Sequence, residues 1–316
     1  MSLLVAEGVS KTYAGRDGRA VQAVVDVSLS IGAGEVLGLV GESGCGKSTL
    51  GRTLLRLIEP TAGRILFDGT EITGLGTRAM KRMRRDMQIV FQDPFGALNP
   101  RHRVGRIVEE PLVVQGRGDR AERRARVAEL LRLVGLSEDA AARHPHEFSG
   151  GQRQRIAIAR ALALDPRFLV ADEAVSALDV SVQSQIINLI ADLRRRLGLS
   201  ILFISHDLSV IRHVSDRIAV MYLGRVVETG PAESVMSDPL HPYTRALISA
   251  IPTVGPRTAR TRLEGEVPDP ADPPGGCAFH TRCPKVMDVC RTVRPELVRP
   301  GGPREERTVA CHLHPA

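Results

Sequence analysis

Apolar positions in this chain fall into short runs separated by longer stretches with a helical, 3.6-residue rhythm. Glu35-Val36-Leu37-Gly38-Leu39-Val40 is apolar and bounded by glycines, the pattern of a buried strand, and a helical pattern follows from Lys47 to Leu57. Further apolar runs lie at Ile65 to Phe67, Ile89 to Phe91, Phe168 to Ala171, Ile201 to Ile204 and Ile218 to Met221. Helical patterns between several of them predict an α/β fold with a largely parallel sheet. Helices are predicted at Arg120 to Val134, stopped by Gly135; at Gly151 to Leu164, stopped before Asp165-Pro166; and at Val180 to Leu197, stopped by Gly198.

Between Gln92 and Ser149 the strand signal disappears, which predicts an α-helical insertion in the core, spanning about residues 93–160. After about Met236 the chain is broken by Pro239, Pro242, Pro252, Pro256, Pro268, Pro270, Pro273 and Pro274, and cysteines appear. A small, loop-rich extension over residues 236–316, following a core over residues 1–235, is the expected division. No internal repeat at a fixed period is present, which argues against solenoids and propellers.

Composition narrows the classes. With 316 residues, 43% hydrophobic and 25% charged, the chain is neither disordered nor fibrous as a whole. The longest charge-free run, Val180 to Ala191, alternates polar with apolar and falls short of the ~18 to 20 residues needed to cross a bilayer. The N-terminal Met1 to Glu7 has no basic segment before its first carboxylate, so a secretory signal is not expected and the cytoplasm is. Net charge is +7, a balance that can favour nucleic acid or an anionic membrane surface, yet aromatics are only 3% and no basic block is interleaved with them, so charge alone decides nothing. The run Arg78 to Arg85 is expected to be a solvated helix face.

Lys47 is one of only four lysines, and its setting carries chemistry. Gly41-Glu42-Ser43-Gly44-Cys45-Gly46-Lys47-Ser48 fits G-x-x-x-x-G-K-[ST] between a predicted strand and a predicted helix. Glycines let backbone N–H groups turn inward toward phosphate oxygens, and the helix N-terminus adds partial positive charge there. Lys47 can then reach the β and γ phosphates of a nucleotide, and Ser48 can offer a hydroxyl to Mg²⁺. Phe168 to Ala171 is an apolar strand ending in Asp172 and Glu173, where Asp172 can hold the Mg²⁺ and Glu173 can orient and deprotonate a water. Ser149-Gly150-Gly151-Gln152 opens a helix with a natural N-cap and exposed donors, a second anion site.

These elements, with Gln92-Asp93-Pro94, Ser176-Ala177-Leu178-Asp179 and Ser205-His206-Asp207, make the chain resemble the nucleotide-binding subunit of an ABC transporter over roughly residues 3 to 250. The resemblance implies a RecA-like P-loop NTPase core with an N-terminal antiparallel β part. It also implies that two cassettes close head to tail on two ATP molecules, the Ser149 signature of one clasping the γ phosphate held by the other. Carried over residue by residue, Tyr13 is expected to stack on adenine, and Gly41 to Thr49 to bind the phosphates with Ser48 on Mg²⁺. Gln92 is expected to sense Mg²⁺ and the attacking water, His206 to contact the γ phosphate, and Asp179 to tie the two active sites together. His102, His144, His146 and His213 have no such partners and are expected to be structural. Two positions depart from the family pattern: Phe148 replaces a leucine before Ser149, and Ala174 replaces the proline after the catalytic glutamate, which is expected to free that loop.

His241 to Leu247 and Gly276 to Pro284 resemble the C-terminal extension of ATPases from dipeptide, oligopeptide and nickel importers, and the loop phrase resembles the second of their two ATPases. That implies a heterodimer with a second ATPase, two integral membrane permease subunits and an extracytoplasmic solute-binding protein, at the cytoplasmic face of the membrane. A soluble ABC-type ATPase acting on DNA or ribosomes is the rival reading, opposed by the single cassette with about a hundred residues between loop and signature. A degenerate regulatory ATPase is opposed by the presence of Lys47, Asp172, Glu173 and His206.

The remaining cysteines, Cys277, Cys283, Cys290 and Cys311, cluster near the end, and in a reducing compartment they point to a closed four-cysteine metal site. Three readings stay open: a [4Fe-4S] cluster, favoured by irregular spacing and the Cys283-Pro284 pair; zinc, whose short C-x2-4-C knuckles are not matched; and free or partly oxidised thiols. Cys45 is expected to be a small filler within the loop.

Overall fold

Two long stretches rich in β-branched residues open the chain as β1 (Ser2–Ala14) and β2 (Ala20–Gly32), paired antiparallel with Leu4 opposite Ile31 and Tyr13 opposite Val21. The computed structural model describes residues 2–15, 19–251, 265–301 and 306–315, with the side chains of residues 94 and 95 left aside. Pro252 and Pro256 lie outside the described residues. Along β1 the alternation buries Leu4 and Ala6, and a register shift between Ala6 and Val9 lets Val9 join the same core.

All five residues of β3 (Val36–Val40) are buried, as its unbroken apolar run predicts. The helix after the glycine loop, α1 (Lys47–Leu54), ends three residues before the predicted Leu57: Arg56 takes a left-handed φ of 47°, and Leu57 is turned out to solvent. β4 (Ala62–Phe67) and β5 (Thr70–Glu71) complete a four-stranded sheet of order β2-β1-β4-β5. The run Ile65 to Phe67 therefore belongs to an antiparallel sheet, pairing with β1, and not to the parallel sheet expected from the sequence.

The middle of the chain forms α2 (Thr77–Met83), β6 (Met87–Val90), α3 (Pro94–Ala97), α4 (Val104–Gln115), α5 (Arg120–Leu133) and α6 (Gly150–Ala161). It continues with β7 (Phe168–Asp172), α7 (Val180–Leu197) and β8 (Ser200–Ile204). α2 carries much of the basic run and buries only Met80. α5 starts at a capping box: Asp119 Oδ1 accepts the N–H groups of Ala121 and Glu122, and Glu122 Oε2 accepts the N–H of Asp119. β6 and β7 run parallel, with Met87 opposite Phe168.

The last part forms α8 (Leu208–Val214), β9 (Arg217–Tyr222), β10 (Arg225–Pro231), α9 (Ala232–Ser237), α10 (Pro242–Ser249), α11 (Asp288–Thr292) and β11 (Thr308–Val309). β3 pairs parallel with β9, β9 antiparallel with β10, and β10 antiparallel with β11. Two compact units partition the chain, Met1–Gly74 with Phe203–Ala316 and Leu75–Leu202. Among the described residues, no helix is long and apolar enough to cross a membrane.

Candidate functional site

The first unit carries the glycine loop between β3 and α1. Gly46 takes φ 101°, and a Cβ there would run into the carbonyl oxygen of Ala23, so only glycine lets the chain turn here into the helix. The loop closes on Lys47, which is 4% exposed. Its Nζ donates to the carbonyls of Gly41 at 2.8 Å and Glu42 at 2.9 Å and lies 3.9 Å from Cys45 Sγ. The ammonium is thus out of bulk water but held by two carbonyl dipoles, a position from which phosphate oxygens can take it over. Ser43 and Gly44 are exposed at the crest of the loop, while Ser48 and Thr49 are half-buried on the first turn of α1. Cys45 is buried, and desolvation pushes its thiol up, which fits a filler.

Tyr13 stands near the end of β1, 37% exposed, with Lys11 Nζ 5.1 Å from the ring centre. His206 is exposed after β8, and its flanks are fixed: Ser205 Oγ accepts the N–H of Asp207, and Asp207 Oδ1 caps α8 by accepting the N–H of Ser209.

The second unit holds the acidic strand end. β7 is buried throughout, Asp172 is 1% exposed at its last position, and Glu173 follows in the left-handed region at φ 48°. A non-glycine residue there carries strain of ~1 to 3 kcal/mol, the kind that persists where surrounding contacts fix a working geometry. Those contacts are present: Gln92 Nε2 donates to Glu173 Oε2 at 2.9 Å, and the N–H and Oγ of Ser176 both donate to the Glu173 carbonyl. Ala174 is buried, and Ser176 closes the turn that a proline would otherwise stiffen.

Ser149 caps α6 in a reciprocal box: its Oγ accepts the N–H of Gln152 at 3.3 Å, and Gln152 Oε1 accepts the N–H of Ser149 at 3.0 Å. Gly151 has a packing reason beside any ligand role, since a Cβ there would overlap Val182 Cγ1 of α7. Phe148 is buried, with the Arg143 guanidinium 4.3 Å over its ring. Asp179 precedes α7, exposed and without a side-chain cap bond. Sequence-predicted residues are thus gathered as Tyr13, Gly41 to Thr49 and His206 in one unit, and Gln92, Ser149 to Gln152, Asp172, Glu173 and Asp179 in the other.

The described residues give no support to the closed four-cysteine metal site. Cys277, Cys283, Cys290 and Cys311 are free and near enough to influence one another, but among the described residues no group of three or more His, Cys, Asp or Glu is arranged to hold a metal ion. Burial, then the neighbouring thiols, push Cys277 up to about 11, and burial also raises Cys283 and Cys311.

Two residues that sequence reasoning gave no role reach the glycine loop. Tyr243, on α10, and Arg282, between Cys277 and Cys290, both bond Glu42. Each lies in a segment already singled out near the C-terminus, but the contact spans 201 and 240 residues and no local pattern announces it.

Comparison with known proteins bears on the whole arrangement. Residues 24–176 match the ABC transporter family, and residues 227–290 match the oligopeptide/dipeptide transporter C-terminal region. A protein of Brucella ovis, named as a peptide import ATP-binding protein, is 54% identical over 303 residues, 95% of each chain. A probable peptide ABC transporter ATP-binding protein of Sinorhizobium fredii is 55% identical over 93% of this chain and 83% of its own. Among solved structures, a dimeric ATP-binding cassette in a post-hydrolysis state with ADP and phosphate is 34% identical, with a TM-score of 0.66 over 72% of this chain and 98% of that one. The cbiO1 protein of Clostridium perfringens, part of the ABC transporter complex cbiONQ, is 31% identical with a TM-score of 0.67 over 75% and 91%.

Proposed function

We infer, from the premise that this chain belongs to the ABC transporter family and has its P-loop NTPase fold, that it is the ATP-hydrolysing subunit of an importer of di- or oligopeptides or a related solute. The observation that carries the hydrolytic part is the Gln92 to Glu173 hydrogen bond of 2.9 Å. It holds a carboxylate in a fixed pose beside an amide that can also bond a water. The match of residues 227–290 and the names of the relatives support the peptide class.

In this reading Tyr13 stacks on the adenine, the N–H groups of Gly41 to Thr49 cradle the phosphates, and Lys47 moves from the Gly41 and Glu42 carbonyls to the β and γ oxygens. Ser48, Gln92 and Asp172 would hold the Mg²⁺ of the nucleotide, which screens the charge of the phosphates. Glu173 orients a water and takes its proton as the oxygen bonds the γ phosphorus and the bond to the ADP oxygen breaks. His206 contacts the γ phosphate, Ser149 to Gln152 clasp the phosphate held by the partner ATPase, and Asp179 links the two sites. The dimer of the similar post-hydrolysis cassette supports such pairing. The partners are a second ATPase subunit in a heterodimer, two permease subunits and an extracytoplasmic solute-binding protein, with this chain peripheral at the cytoplasmic face of the membrane. The rival reading, an ATPase on nucleic acid or ribosome, has no support in the C-terminal match.

The test is kinetic. With the partner subunit present, Glu173→Gln is expected to keep ATP binding and lower hydrolysis by about 10²-fold or more, while Lys47→Ala weakens nucleotide binding. Equal hydrolysis by wild type and Glu173→Gln would remove Glu173 from the role of base.

A further inference from the structure

Glu42 has each of its three polar groups occupied. Its backbone N–H donates to Tyr243 Oη at 2.9 Å, its carbonyl accepts from Lys47 Nζ at 2.9 Å, and its carboxylate accepts Arg282 Nη1 at 2.7 Å and Nη2 at 3.0 Å. Two of these three partners come from the stretch that matches the oligopeptide/dipeptide C-terminal region. The Arg282 side chain is only 6% exposed and lies 6.0 Å over the Tyr222 ring. Tyr222 packs on Tyr243 at 4.7 Å and edge-on to Phe279 at 5.3 Å. A two-pronged guanidinium to carboxylate contact backed by packed rings is directional and stiff, unlike an exposed ion pair between two mobile side chains.

We propose that Arg282 is a positioning residue for nucleotide capture, acting through Glu42 to fix the carbonyl on which the Lys47 ammonium rests and so the place from which Lys47 meets the phosphates. The inference rests on the ATPase reading of this loop. It gives the C-terminal extension a share in the ATP site of its own chain. Without the guanidinium, the loop has more conformations to lose when nucleotide binds, a cost that falls on capture and is absent from the chemical step.

The experiment compares MgATP kinetics of the full-length chain in its transporter complex for wild type, Arg282→Ala, Arg282→Lys, Glu42→Gln and the double variant Glu42→Gln with Arg282→Ala. Arg282→Ala is expected to raise KM roughly tenfold with kcat within about twofold, a split that general loosening of the fold does not produce. Lysine, which keeps the charge and loses the fork, restores part of the affinity. Glu42→Gln gives a shift like that of Arg282→Ala, and the double variant is no worse than either single one. An unchanged KM in Arg282→Ala, or single effects that multiply in the double variant, would overturn the proposal. Should Arg282→Ala not assemble, Glu42→Gln against wild type decides by the same measure. A wild-type complex that turns over no ATP would instead sink the ATPase reading beneath it.

Discussion

At the scale of single residues, local sequence is most informative where chemistry demands a particular side chain, and least where packing decides. Lys47, Asp172 and Glu173 stand out because a lone lysine in a glycine loop and two acids at an apolar strand end have no ordinary structural use. Gly151 is different, since the sequence points to a ligand role for its missing side chain while the structure adds Val182 pressing against it. Gln154 was invisible as a problem: it is fully buried on α6, and neither its Oε1 nor its Nε2 has a hydrogen-bond partner among the described residues. An unmet buried amide costs about 1 to 3 kcal/mol, so Gln154→Leu is expected to raise the urea midpoint or Tm of the isolated chain. A lowered midpoint would mean that the amide finds a partner in solution.

At the scale of elements, punctuation was legible and partnership was not. Gly135, the Asp165-Pro166 pair and Gly198 mark helix ends through forbidden backbone, which is local physics, and α5, α6 and α7 end close to where they predict; the structure adds the Asp119 cap as a further local signal. Removing one such signal should register: Asp119→Ala breaks the reciprocal box at the start of α5 and is expected to cost about 1 kcal/mol, read as a lower midpoint in urea denaturation with m unchanged. Strand pairing gives no comparable local sign. The run Ile65 to Phe67 has the apolar character of a central parallel strand, yet its partner is β1, some sixty residues earlier, and the pairing is antiparallel. The cysteines are hard to read for a related reason, because spacing along the chain does not show how far each thiol is buried.

At the scale of the whole molecule, titration of buried groups couples folding to pH. His241 is 1% exposed, and its Nδ1 accepts the N–H of Tyr243 at 3.0 Å. Burial, with a smaller contribution from the charge of His314, holds its imidazole down at about 3 against an ordinary value of 6.5. Between those values the unfolded chain takes up a proton that the folded chain refuses, so stability is lost as pH falls through that window, approaching ~1.4 kcal/mol per pH unit. Glu228, also fully buried and raised by burial, works the opposite way, with stability lost as pH rises through its own window. Urea melts between pH 7 and pH 5 are expected to show a falling midpoint that flattens in His241→Asn, and equal slopes in the two proteins would assign the acid sensitivity elsewhere. The short pairing of Glu228 and Thr229 with Val309 and Thr308 carries a further consequence. It covers hydrogen-bonding groups along one side of β10, so shortening the chain ahead of Thr308 would leave a bare template there, and the trimmed protein should stick to itself long before it loses the ability to grip a nucleotide.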